Sequence, residues 1–244
     1  MFANGKSISR TQLGVDERMK RTILAGVVAA AAAVGVAGAI APGTAQAATI
    51  FSSQFSPNGW GNTFDDEKGQ AGTYSTTRVS DTDGSLQFET SATTPRQASY
   101  KAVNKIPLTT AIGKTLSFEK TEGNANWQIR VTGANTGSGD GFLTLVWSAP
   151  DAAGKYSAGD SNKWWATRAL PGFARGETGT LEELTKAANT EGKTAVVNHY
   201  GISSQPGTPG GKVNVDGVQF NGDTTNFAHV GGAGTGSLDG LIPR

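Results

Sequence analysis

The chain has 244 residues, with 21 basic and 20 acidic side chains, two histidines and no cysteine. Without cysteine, disulfides, thiolate metal sites and cysteine nucleophiles are all excluded. A net charge of +1 leaves no basic footprint for nucleic acid.

Residues 1–18 are of mixed charge and show no periodic apolar pattern, so they are set aside from fold reasoning. Met19-Lys20-Arg21-Thr22 is a short basic opening, and the 19 residues from Ile23 to Ala41 carry no charge. Pro42-Gly43-Thr44 breaks that run, and Ala45-Gln46-Ala47 follows as a small-x-small site. Such a run could span a bilayer. Its Ala and Gly content, the Pro-Gly break and the A-x-A site predict instead a secretory signal peptide cut between Ala47 and Ala48. The expected protein is therefore secreted, extracellular or cell-surface associated, with no membrane span after cleavage.

The cut leaves 197 residues, one domain large enough to bury a core unaided. It removes Lys6, Arg10, Arg18, Lys20 and Arg21 but only Asp16 and Glu17, so the mature chain holds 16 basic and 18 acidic groups, a net −2. No nucleic-acid partner and no anionic membrane surface is expected. The missing cysteines, the absence of an N-x-S/T sequon after the cut and the Ala-rich leader lean towards a bacterial, high-GC Gram-positive source.

Along residues 48–229, turn-forming residues punctuate short segments with period-two patterning, which predicts half-buried strands. Tyr74 to Val79 and Ser85 to Glu89 come first; in the latter, Leu86 and Phe88 share one face. Ala98 to Val103 and Thr115 to Glu119 follow. Trp127, Ile129 and Val131 then alternate with Gln128, Arg130 and Thr132. Phe142 to Trp147 is apolar on both faces and reads as a central strand. Lys163 to Arg168, Thr194 to Ile202 and Lys212 to Phe220 complete a set of about nine or ten strands.

One helix is predicted after Thr180, where Thr180 and Glu183 form a capping box and Gly192 stops the run. In the last strand, Val213 and Val215 are out of phase with Val218 and Phe220. Both pairs reach one core only through an inserted residue, for which Asp216-Gly217 suits a bulge; a strand buried on both sides is the alternative. Residues 230–244 form a Gly-rich tail, with Gly231 to Gly236 read as flexible and no wall-anchoring motif. The expected fold is all-β, an antiparallel two-sheet β-sandwich of jelly-roll type with one short crossover helix.

The candidate chemistry is sparse. His199 and His229 have neither the partners of a Ser-His-Asp triad nor the spacing of a zinc pair. Glu89, Glu119, Glu122, Glu177, Glu182, Glu183 and Glu191 form no E-x-D-x-x-E strand motif that would place paired carboxylates on a sugar. Asp81, Asp83 and Asp140 lie in oxygen-rich D-G turns, which are weak calcium candidates and ordinary turn chemistry as well. No cofactor is expected beyond such a structural calcium.

The aromatics point furthest. Trp60, Trp127, Trp147, Trp164 and Trp165 are many for a domain of this size. Trp164 and Trp165 are neighbours in a strand, so they must face opposite ways. One is expected in the core. The other is free to stack on a sugar ring or is covered by the segment from Pro171 to Thr180. Trp164, Trp165, Tyr156 and Asn162, with Lys163 beside them, are the candidate ligand-binding residues.

Asn58-Gly59-Trp60, Asp83-Gly84-Ser85-Leu86-Gln87-Phe88, Gly113 to Phe118 and Val215 to Val218 occur in the order of the jelly-roll carbohydrate-binding modules of the galactose-binding-like type, which the chain resembles. It departs from them in the middle, where Ser148 to Asn198 is longer and carries the helix. Concanavalin-A-like sandwiches share the closing strand and remain an alternative. The resemblance implies a non-enzymatic protein whose partner is extracellular polysaccharide or cell-wall glycan. The rival readings are a secreted polysaccharide hydrolase and a structural or adhesive surface protein without a small ligand.

Overall fold

The computed structural model describes residues 47–62, 64 and 69–231. Within them the chain forms β1 (Thr49–Ser53), β2 (Trp60–Gly61), β3 (Thr73–Ser75), β4 (Ser85–Thr90) and β5 (Gln97–Pro107). Helix α1 (Leu108–Ile112) precedes β6 (Ser117–Lys120), β7 (Asn126–Thr132), β8 (Leu143–Ser148), β9 (Gly154–Ser157), β10 (Trp164–Ala166) and β11 (Thr178–Gly179). Helix α2 (Leu181–Ala188), β12 (Val196–Ser204), β13 (Gly211–Phe220) and β14 (Asp223–Ala228) complete the order. The predicted signal peptide up to Gln46 and the tail beyond Gly231 lie outside the described residues.

The strands form two seven-stranded sheets, as a two-sheet sandwich requires. The first runs β1-β14-β13-β4-β3, with β6 joining β13 and β9 joining β6. The second runs β11-β10-β8-β7-β12-β5-β2. All pairings are antiparallel except β1 with β14, which run parallel. That pairing corrects the wholly antiparallel expectation: the first and last described strands meet side by side and point the same way. Two helices are present where one was predicted. The missed α1 starts after Pro107 without a side-chain cap, so nothing local announces it, whereas α2 has the predicted capping box on both sides.

Alternation explains the core. Leu86 and Phe88 from β4, Phe118 from β6 and Val213 and Val215 from β13 face Trp127, Ile129 and Val131 from β7 and Leu143, Leu145 and Trp147 from β8. Rings lock the two sheets together. Phe220 stacks on Tyr200 with centroids 4.0 Å apart, and Trp60 meets Phe227 edge-on at 4.9 Å. Such ring pairs add roughly 0.5–1.5 kcal/mol each beyond the area they bury. The last long strand does bulge. Its register against β6 shifts between Asp216 and Gln219, Gly217 takes φ +59°, and Val213, Val215, Val218 and Phe220 are all buried.

A buried lysine ties the loops beside β6. The Lys120 ammonium donates to the carbonyls of Gly123, Asp151 and Ala152 at 2.8, 2.9 and 2.8 Å. It also lies 5.5 Å from the ring centre of Tyr156, whose hydroxyl donates to Ala152 O at 2.8 Å. Tyr156 belongs to β9 of the first sheet and serves this anchor. It is not among the described residues beside Trp165 on the outer face of the second sheet, because the chain crosses between sheets after β8 and again before β10.

Candidate functional groove

The outward residues of the second sheet build the site. On β7, Trp127, Ile129 and Val131 point inward, so Asn126, Gln128 and Arg130 point out. On β8 the outward set is Thr144, Val146 and Ser148, and on β10 it is Trp165. Together with Phe142 and Tyr100 these side chains line a groove of about 420 Å³.

Adjacency orients the two tryptophans in opposite directions. Trp164 is fully buried, and its indole N–H donates to Ala158 O at 2.7 Å. It is a core residue and leaves the candidate ligand set. Trp165 is half-buried, with its ring in the wall of the groove. The segment after Pro171 runs alongside it and leaves it partly exposed: Thr178 of β11 pairs with its backbone, and Arg175 stands with it in the groove lining. Asn162 is exposed in the turn before β10 and is not among the lining residues.

The floor is rigid and polar. The Tyr100 hydroxyl donates to Gln128 Oε1 at 2.6 Å, and Gln128 Nε2 donates to Ser203 Oγ at 2.6 Å. These groups sit on β5, β7 and β12, and the Tyr100–Gln128 bond crosses β12 above Gly201, which pairs with both residues. A Cβ at Gly201 would meet Ser99 O at 2.2 Å and Tyr100 Cδ1 at 2.7 Å. Only glycine lets the tyrosine ring lie across the strand. Buried hydrogen-bonded groups of this kind hold their rotamers and present fixed donors and acceptors.

Arg130 rises from this floor between aromatic faces. Its guanidinium carbon lies 4.2 Å from the ring centre of Phe64, 4.9 Å from that of Phe142 and 5.3 Å from that of Tyr100. Burial pushes its pKa down, and the negative ring faces offset that cost. His199 sits close by, 4.4 Å from the Phe64 ring. A bulge between Val197 and His199 turns His199 outward, opposite Arg130, while Val197 stays in the core. Simple alternation would put those two on one face. Burial first, and the charge of Arg130 second, lower the His199 pKa.

The remaining candidates lie elsewhere. Glu89 forms an ion pair with Lys212 at 3.3 Å on the first sheet, and Glu183 serves the α2 cap. None of the seven glutamates considered is among the described groove-lining residues. Asp81 Oδ1 accepts from Asp83 N at 3.0 Å, and Asp140 Oδ1 accepts from Phe142 N at 3.0 Å. Both are turn-closing carboxylates, and among the described residues no group of three or more His, Cys, Asp or Glu is arranged to hold a metal ion. His229 donates its backbone N–H to Asp83 O at 2.8 Å. A second hollow of about 760 Å³ lies between the helices, lined by Ile112, Leu181, Glu182, Lys186 and neighbours, with no aromatic side chain among the described lining residues.

No protein-family model matches the chain, and no curated protein sequence matches it. Among solved structures it is similar to a carbohydrate-binding module described as specific for non-crystalline cellulose. The match has 17% identity and a TM-score of 0.34, covering 66% of this chain and 86% of that one.

Most of this groove is not legible in the sequence. Gln128 and Arg130 were visible as the polar half of the Trp127 to Thr132 alternation. Nothing in one strand shows that the outward halves of β5, β7, β8 and β10 converge.

Proposed function

We propose that the protein is secreted and acts as a non-catalytic glycan-binding sandwich that seats a polysaccharide segment in the groove on the outer face of its second sheet. The observation that carries this reading is the half-exposed Trp165 ring beside a fixed amide and hydroxyl floor. The apolar face of a sugar ring stacks on an indole, and its hydroxyls exchange hydrogen bonds with groups such as Gln128, Asn126 and Thr144. Open clefts that combine one apolar plane with a few fixed polar groups are the usual form of small-ligand and oligomer sites. The preformed floor lowers the ordering cost of binding.

The test is affinity electrophoresis of the protein through gels containing a panel of neutral and acidic polysaccharides. At least one polysaccharide should retard the wild type, and Trp165→Ala should weaken that retention about ten-fold or more, equivalent to about 1.4 kcal/mol, with little change in melting temperature. Trp164→Ala is the control: losing that buried ring should cost roughly 3–5 kcal/mol of stability. A wild type retarded by no glycan, or a Trp165→Ala variant retained as strongly as wild type, overturns the assignment.

A further inference from the structure

We propose that the glycan seated in this groove is anionic, carrying carboxylate or sulfate groups along its chain; this rests on the glycan-binding reading above. Arg96, Arg130, Arg168 and Arg175 all line the groove. The mature chain has only six arginines, the others being Arg78 and Arg244. Two-thirds of its guanidinium groups therefore converge on one surface, although the mature chain's net charge is −2. No Asp or Glu is among the described residues that line the groove.

The residue type matters as much as the charge. The mature chain has ten lysines, and none is among the described groove-lining residues. A guanidinium presents a planar fork of N–H donors that matches a carboxylate or sulfate edge, and an ammonium does not. The four arginines also reach the groove by separate routes. Arg96 precedes β5, Arg130 stands on β7, Arg168 follows β10, and Arg175 lies in the segment leading to β11.

Arg96, Arg168 and Arg175 bring like charges to one surface, and an anionic ligand gains from all three. Neutral sugar hydroxyls would gain nothing comparable from these three cations. Arg130 is set deepest, stacked against Phe64 and Phe142, while Arg96, Arg168 and Arg175 are exposed. An extended chain lying past Trp165 would thus meet adjustable cations at the margins of the groove. The mature chain's net charge of −2 disfavours indiscriminate adhesion to polyanions, which makes a glycan with spaced charges a better fit than nucleic acid.

The experiment compares binding of the protein to five probes: polygalacturonate, its methyl ester, dextran sulfate, hydroxyethylcellulose and single-stranded DNA. The methyl ester keeps the sugar backbone and removes the charge. Polygalacturonate or dextran sulfate should bind about ten-fold or more tighter than both neutral polymers, with affinity falling steeply as salt is raised. Whichever of the two wins identifies the anionic group as carboxylate or sulfate. The triple variant Arg96→Gln, Arg168→Gln, Arg175→Gln changes only exposed positions and should lose about ten-fold or more of that affinity. If it does not fold, the three single variants, each read against its own melting temperature, should each lose part of it.

Retention of neutral polymers alone, abolished by Trp165→Ala and untouched by the arginine changes, would keep the glycan groove and overturn its anionic preference. Equal binding of polygalacturonate and its methyl ester has the same consequence. DNA held as tightly as the acidic glycans would show a generic polyanion surface and overturn it as well. No glycan bound at all removes both readings.

Discussion

Single side chains in this protein are defined by what their neighbours allow. Gly201 is small so that Tyr100 can cross it, and the Lys120 ammonium is held in the interior by the backbone carbonyls that accept its hydrogen bonds. The carboxylates near the end of β13 are held less comfortably. Asp83 is pushed up to about 6, first by burial, then by its hydrogen bond with Asp81 and the negative charges of Asp81 and Asp216. The reference value is 3.8, so between the two pH values the folded state binds more protons than the unfolded chain. The associated stability is fully present below the lower value and is lost as pH rises through about 6. Asn at this position imitates the protonated acid. Asp83→Asn should therefore melt at a higher temperature than wild type above neutrality and show no advantage near pH 4. A variant less stable than wild type on the alkaline side would mean that the ionised Asp83 is stabilising.

At the scale of elements, period-two alternation made the long strands legible, because a half-buried strand writes its two faces into the sequence. The short pieces β2, β9 and β11, of two to four residues, carry too few residues to show a period and exist because a neighbouring strand offers a free edge. The two bulges differ in the same way. That in β13 was visible because four apolar residues fell into two phases. That in β12 was hidden, since Val197, His199 and Gly201 look like one alternating face until the pairing is known. The β13 bulge has a direct test. A Cβ at Gly217 would come no closer than 3.5 Å to Ser80, so Gly217→Ala should cost only the left-handed backbone penalty, about 1–2 kcal/mol. Deleting Gly217 is a different change. It throws Val218 and Phe220 out of phase with the core, forfeiting roughly 1.5–3 kcal/mol for each side chain. Denaturant unfolding should show a modest shift for the substitution and loss of the cooperative transition for the deletion. A deletion variant as stable as the substitution would mean that the strand re-registers freely.

Across the whole molecule the two sheets have separate duties. The first closes the sandwich and ties its loops through Lys120, and the second turns an aromatic and cationic outer face to solvent. This division was the part least legible in the sequence. Tyr156 and Asn162 are close to Trp165 along the chain, yet β9 carries Tyr156 to the other sheet. Arg96 and Tyr100 are some 65 residues away from Trp165 in sequence, yet they line the same groove.

The first described strand begins just after the site where secretory processing is expected. Ala48 O accepts from Thr224 N at 2.9 Å, and Ala48 N lies 3.4 Å from Asp223 Oδ1. The ladder between β1 and β14 begins at the next residue, Thr49 opposite Thr224. A cut after Ala47 therefore takes nothing from the pairings of the described residues, and it sets a new ammonium group beside the Asp223 carboxylate, a weak surface attraction of about 0–1 kcal/mol. A cut a few residues later would strip the edge strand of its first pairs and leave Thr224 N without its partner. N-terminal sequencing of the secreted protein should accordingly begin at Ala48, and the melting temperature of the chain produced directly as residues 48–244 should equal that of the secreted material. A mature start beyond Ile50, or retention of Met19 in membrane-bound protein, would refute the processing site.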